Sequence, residues 1–309
     1  MIVRVLGSAA GGGFPQWNCN HPNSRRARAG DPAAKPRTQS SIAVSADGEH
    51  WFLFNASPDL RQQIGANDVL HPKKGLRHSP IEGVVVTNAD IDHIAGLLTL
   101  RESQPFRLYA TAKVQGVLRE NSVFNVLNPA VVIRDELPLE APFELLRIDE
   151  RASGLIVEAF PVPGKIALYL ENPEAGPNLG TTAQDTIGLS VGARGADARC
   201  YYIPGCAELT PALAERLRGA DCVFFDGTLW QDDEMIRSGT GVKTGARMGH
   251  MSLSGEHGTI AALRDLGVKR KILIHINCTN PILIEDSPER EAAVAAGWEI
   301  SYDGMEVRL

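Results

Sequence analysis

No stretch of this 309-residue sequence approaches the roughly 18 consecutive apolar residues that would span a bilayer, so no membrane-spanning helix is expected. Cysteine is scarce: Cys19, Cys200, Cys206, Cys222 and Cys278 make five, an odd number spread along the chain. They form no disulfide framework and suit reduced thiols in a cytoplasmic protein. Positive charge is not in excess either. With 31 Lys and Arg against 37 Asp and Glu, the net charge is −6, which leaves no broad basic footprint for nucleic acid. Local basic clusters could still hold a small anion. The start, Met1–Gly7, lacks the charged leader and long apolar core of a signal peptide and reads as a strand. Internal repeats and low-complexity tails are absent as well.

What is present is a rich set of strand signals. Ser41–Val44 and Trp51–Phe54 flank Asp47-Gly48, and Trp298–Tyr302 and Met305–Leu309 flank Asp303-Gly304, so hairpins are expected at both ends. Between them β-like runs recur at Gly83–Thr87, Phe106–Ala110, Phe143–Ile148, Leu155–Phe160, Thr186–Val191, Cys200–Ile203, Cys222–Phe225 and Lys271–Ile276. Helical patterns are fewer: Ile91–Arg101, Ala112–Glu120, Pro211–Arg218, Gly255–Leu266 and Ser287–Ala296. Two packed sheets with helices outside follow, as a single domain over residues 1–309 with a long surface loop at 11–38.

The most informative stretch is Gly83–Leu97. A buried strand ends at Thr87, the polar side chains Asn88, Asp90, Asp92 and His93 follow in a tight corner, and a helix begins. Such a corner exposes side chains at a sheet edge. The blander reading is that Asn88, Asp90 or Asp92 merely caps the helix. Near the C-terminus, however, Lys271–Ile276 brings His275 to the end of another buried strand. Two strand ends can meet on one cation when they are neighbours in a sheet.

These residues resemble the metallo-β-lactamase superfamily, whose His-x-His-x-Asp-His element is represented here by Asn88-x-Asp90-x-Asp92-His93. The resemblance implies an αββα sandwich of α/β (α+β) class with two mixed sheets. It retains the second metal site as Asp92, His93 and His275, and loses the two histidines of the first to Asn88 and Asp90. It also implies roles for Asp226, after the Val223–Phe225 strand, as a further metal-holding carboxylate, and for His250 in Gly249-His250-Met251-Ser252. The plainer alternatives are a turn at Asp226-Gly227 and a loop histidine. Two histidines and one carboxylate form the facial triad of non-haem Fe(II) oxygenases, although the same set suits Zn²⁺.

Further segments narrow the resemblance. Gly11–Asn20, Arg37–Ser41, Phe54–Asp59, Tyr202–Ala207, Phe225–Trp230 and His275–Pro281 are similar to the pyrroloquinoline quinone (PQQ) synthesis protein B family. The resemblance implies a metal-dependent enzyme, with Fe(II) favoured and zinc as the other option, that hydroxylates the tyrosine-derived ring of the PQQ precursor with O₂. Its partner would be a small polycarboxylate, the precursor or PQQ itself; a homodimer is compatible with it. In that frame Asn88, Asp90 and His250 are the catalytic residues, with His250 as proton acceptor for a phenol. Lys243 and Arg247 would bind substrate carboxylates, with Arg25, Arg26 and Arg28 as further candidates; each could instead be a solvated charge. Cys19 and His21 would hold a structural zinc, against which stands Ser24 in a place where relatives carry cysteine. Two alternatives remain: a soluble carrier that moves PQQ or its precursor to the periplasm, and a dinuclear-metal hydrolase.

Overall fold

The computed structural model describes residues 1–171 and 182–309. Among these residues, two seven-stranded sheets face each other. In the first, β1 (Ile2–Gly7), β2 (Ser41–Ser45), β3 (Trp51–Phe54), β4 (Ile81–Val85), β5 (Phe106–Ala110) and β6 (Val132–Glu136) lie in sequence order, and the C-terminal strand β14 (Glu306–Arg308) closes the edge beside β1. In the second, β7 (Pro142–Leu146), β8 (Ala152–Pro161), β9 (Ile187–Ala193), β10 (Cys200–Ile203), β11 (Cys222–Asp226), β12 (Lys271–Ile274) and β13 (Trp298–Ile300) follow one another. Both sheets are mixed. The β3–β4–β5–β6 pairings are parallel, as are β10–β11–β12–β13, and the other pairings are antiparallel.

Period-two burial makes three apolar layers from these strands. Phe52 and Phe54 of β3, Phe224 of β11, and Ile272 and Ile274 of β12 point into the layer between the sheets. Their neighbours turn outward: Trp51 and Leu53 pack under helices on one side, Phe225 and Leu273 on the other. The central parallel strands are buried on both faces, which is why they read as continuous apolar runs rather than alternating ones.

Several expectations need correction. The 11–38 segment is not all loop, because α1 (Pro22–Arg28) forms within it; Pro22 sits in the first helical turn and the His21 ring accepts the N–H of Asn23. The Asp303-Gly304 turn does not close a hairpin. It carries the chain from β13 in one sheet to β14 in the other, held where the Asp303 carboxylate accepts hydrogen bonds from the Ser8 and Thr38 backbone and hydroxyls. The helix expected at Ile91–Arg101 is α3 (Ile91–Ile94) continued as a 3₁₀ turn, and that at Gly255–Leu266 shrinks to four residues, Thr259–Ala262. The Asp47-Gly48 hairpin is present between β2 and β3.

Candidate metal centre

The site lies where strand ends from the two sheets meet. Ile187 N donates to Thr87 O at 3.0 Å, and Asn88 forms an isolated bridge with Thr186, so the end of β4 is stitched to the start of β9. Ala9, beyond β1, bridges to Ile276 just beyond β12. These cross-sheet bonds hold the β4–α3 corner against the β12 exit.

At that corner Asn88 does local work. Its Oδ1 accepts from the Asp90 N–H at 2.9 Å and from His93 Nδ1 at 2.7 Å. Asp90 occupies the cap position of α3 without a side-chain capping bond, and it lines the cavity. With Nδ1 donating to Asn88, the His93 ring turns Nε2 inward. Among the described residues that atom is buried with no hydrogen-bond partner. A buried unpaired imidazole nitrogen is costly unless something is meant to meet it.

Asp92 and His275 stand beside it. His275 Nε2 lies 3.1 Å from Asp92 Oδ2, and His93 Nε2 lies 3.9 Å from the same oxygen. The three donor atoms are all within 4.8 Å of one another. His275 adopts φ +61°, a left-handed conformation that non-glycine residues rarely hold. The strained backbone ends β12 abruptly and turns the imidazole to the cavity. Two nitrogens and a carboxylate oxygen, with an orphaned nitrogen among them, fit a divalent cation such as Fe(II) or Zn²⁺.

A second layer orients the rings. His275 Nδ1 donates to Thr228 Oγ1 at 2.9 Å, and the Thr228 hydroxyl donates to Asp226 Oδ1 at 2.6 Å. His250 Nδ1 donates to Asp226 Oδ2 at 2.7 Å, and its ring stacks on His275 at 5.2 Å between centroids. Asp226, fully buried at the end of β11, also accepts the N–H groups of Cys206 and Thr228. Asp226, His250 and His275 form a further group with donor atoms within 4.8 Å, sharing His275 with the first.

Electrostatics follow from this packing. Burial alone would raise the Asp92 carboxyl, but the neighbouring His93 and His275 hold it well below the usual carboxylate range. Burial opposes charging of His275, yet Asp92, Asp226 and Asp90 together lift its imidazole above the ordinary value. His93 goes the other way, since its desolvation outweighs Asp92 and keeps the ring neutral, the form that binds metal.

The centre opens on a cavity of about 410 Å³. Asn88, Asp90, Asp92, His93, His250, His275 and Lys243 line it; Asp226 sits behind His250. Arg247 does not reach the lining, because the short helix α7 (Gly245–Met248) places Met248 there instead. Arg26 pairs with Asp31 and Asp286, and Arg28 donates to the backbone of Gln16 and Cys19, so both serve the fold. Lys165, Tyr169 and Thr228 line the cavity and were not singled out in the sequence. Thr228 stands two residues after the strand-end Asp226, a spacing that could have marked it; Lys165 and Tyr169 carry no local signal. Cys19 and His21 border a separate cavity with Cys278, but among the described residues they complete no group of three metal donors, and the His21 ring caps α1.

Comparison with known proteins agrees with this architecture. The family model described as a β-lactamase superfamily domain matches residues 50–276. Coenzyme PQQ synthesis protein B of Gluconacetobacter diazotrophicus is 57% identical over 307 residues, covering 98% of each chain. The protein of that name from Xanthomonas oryzae pv. oryzae is 53% identical over the full length of both. The crystal structure of Zn²⁺-bound PqqB from Methylobacterium extorquens superposes with a TM-score of 0.93 at 51% identity, covering 100% of both chains. A diphosphatase of the PhnP family, 22% identical with a TM-score of 0.70 over 99% of this chain and 96% of its own, shares the fold alone. The chain belongs to the coenzyme PQQ synthesis protein B family of the β-lactamase superfamily.

Proposed function

We propose that this chain is an oxygen-dependent hydroxylase of PQQ biosynthesis, acting on the tyrosine-derived ring of a polycarboxylate precursor. The observation that carries the reading is the buried, unpartnered His93 Nε2 beside Asp92 and His275, all three opening on one cavity. Asp92, His93 and His275 would hold one ion. Bound iron would supply the redox chemistry for oxygen insertion, and bound zinc only charge stabilisation. One atom of O₂ enters the ring and the other leaves as water, with two electrons from an external reductant and two protons from the reductant or solvent.

The chain's own residues prepare the substrate. His250 lines the cavity and gives its Nδ1 to Asp226, so Nε2 would be its acceptor for a phenol proton. Asn88 acts through His93, fixing its tautomer and direction. Asp226 acts through His250 and Thr228, since both its oxygens already accept hydrogen bonds. Asp90, at the cavity wall, would hold a polar ring substituent. Leu168, Met235 and Met248 give the ring an apolar bed, and Lys243 a counter-charge.

Asn88 also bears on the hydrolytic alternative. Where a dinuclear enzyme would place a metal-binding imidazole, this chain has an amide oxygen already engaged by His93. Fe(II) is added to the chain without oxygen, followed by O₂, a reductant and the precursor. The reading predicts oxygen uptake and a product heavier by one oxygen atom, both lost in Asp92→Ala and His275→Ala. Tight binding of finished PQQ without oxygen uptake would support a carrier, and two zinc ions with phosphodiesterase activity a hydrolase.

A further inference from the structure

We propose that Lys165 and Lys243 form a carboxylate-recognition subsite in which Glu171 is a resident placeholder, and that a ring-borne carboxylate of the ligand takes its position on Lys243. The inference rests on the reading of the 410 Å³ cavity as the substrate site. Lys165 and Lys243 line the same cavity as Asp92, His93 and His275. Lys243 Nζ donates to Glu171 Oε2 at 3.0 Å, with the two side chains 34% and 19% exposed. Among the described residues, Glu171 is the carboxylate that pairs with Lys243, and neither Lys165 nor Arg247 forms an ion pair there.

Charge counting supports an exchange. The Glu171 carboxyl is held below its ordinary range first by the Lys243 hydrogen bond, then by the charges of Lys243, Lys165 and Arg247. Two lysines of the cavity lining, Lys243 and Lys165, therefore act on the one carboxylate of Glu171, with Arg247 adding its charge from outside the lining. A partly exposed pair of this kind is worth little, so breaking it costs little. A ligand that brings carboxylates of its own, already fixed on a rigid ring, meets the same cations with less ordering cost.

The segment can stay seated when Glu171 lets go. Between Lys165 and Glu171 the chain forms a 3₁₀ turn at Leu168–Leu170, and the Tyr169 hydroxyl donates to Ala89 O at 2.9 Å, beside the metal-binding corner. This anchor is separate from the Lys243 contact. The ligand class is thus a flat ring carrying carboxylates, its body against Leu168, Met235 and Met248.

Equilibrium dialysis of the full chain tests this, with PQQ as the probe, its trimethyl ester as comparator, and bound quinone read by absorbance. Lys243→Gln should weaken PQQ binding about tenfold and Lys165→Gln several-fold, while Glu171→Gln should tighten it several-fold. The ester should bind weakly and alike to all four proteins. Thermal unfolding checks that each variant is folded; if Lys243→Gln is not, the Lys165 and Glu171 variants decide. No PQQ binding to the wild-type chain, no tightening in Glu171→Gln, or ester binding as tight as the acid would each overturn the proposal. The expected pattern without any oxygen uptake would leave it standing and remove the hydroxylase reading instead.

Discussion

His93 shows how one side chain is given a direction. Its ring is 2% exposed, donates through Nδ1 to Asn88, and leaves Nε2 without a hydrogen-bond partner among the described residues. Across the cavity Thr228 does the same for His275, receiving Nδ1 and passing its own proton to Asp226. Outer partners of this kind fix ligand rings, and their loss typically weakens metal binding by about 10- to 100-fold. Asn88→Leu and Thr228→Val should each reduce metal affinity within that range while leaving the chain folded, as measured by titration against a competing chelator. Unchanged affinity in both would mean that the rings are held by packing alone.

At the scale of elements, the site depends on how strands end. The α3 corner reaches its place because Gly96 packs against the chain at Ala56–Ser57, where an added Cβ would come within 2.2 Å of Ser57 O. Gly96→Ala should therefore destabilise the protein by about 2 kcal/mol or more, read as a lower urea midpoint, and weaken metal binding through the displaced corner. The β2–β3 hairpin gives a pH prediction. Burial works against the Asp47 carboxylate, but hydrogen bonds from His50 and Glu49 hold its pKa at about 2 against an ordinary 3.8. A depressed carboxyl stabilises the fold above its unfolded pKa and loses that contribution as pH falls toward the folded value. The urea-midpoint difference between wild type and Asp47→Ala should thus be full above about pH 5 and shrink progressively as pH falls from there through about 2. The hairpin and the buried strands were legible because period and turn residues are local properties; the meeting of Asp92 and His93 with His275 was expected from strand ends neighbouring in one sheet and from the family resemblance, whereas the two strands belong to different sheets. The α1 helix was hidden among basic and polar residues, and β6, with partly exposed residues at its centre, gave no clean period. Lys165 and Tyr169 enter the site only through the path of the chain after β8, and Arg247 misses it because α7 turns Met248 inward. None of those placements is written in a residue's own neighbourhood.

The whole molecule brings its candidate metal donors from two sheets: Asp92 and His93 follow β4 of the first, and His275 follows β12 of the second. An ion held by all three ties the layers together, and binding to the folded state alone adds stability by mass action. At about 100 times its dissociation constant, metal should raise stability by about 2.7 kcal/mol. Chelation should lower the unfolding temperature, and His275→Ala should lose the metal-dependent part. Among the described residues no helix is long and apolar enough to cross a membrane.

The most direct measurement is the number of Fe(II) ions retained per chain after dialysis without oxygen, in the wild type and in Asp92→Ala, His93→Ala and His275→Ala. One tightly held ion in the wild type, and none in any of the three folded variants, is the predicted result. Two equivalent ions in the wild type, or one ion retained when any of these side chains is removed, would contradict the assignment.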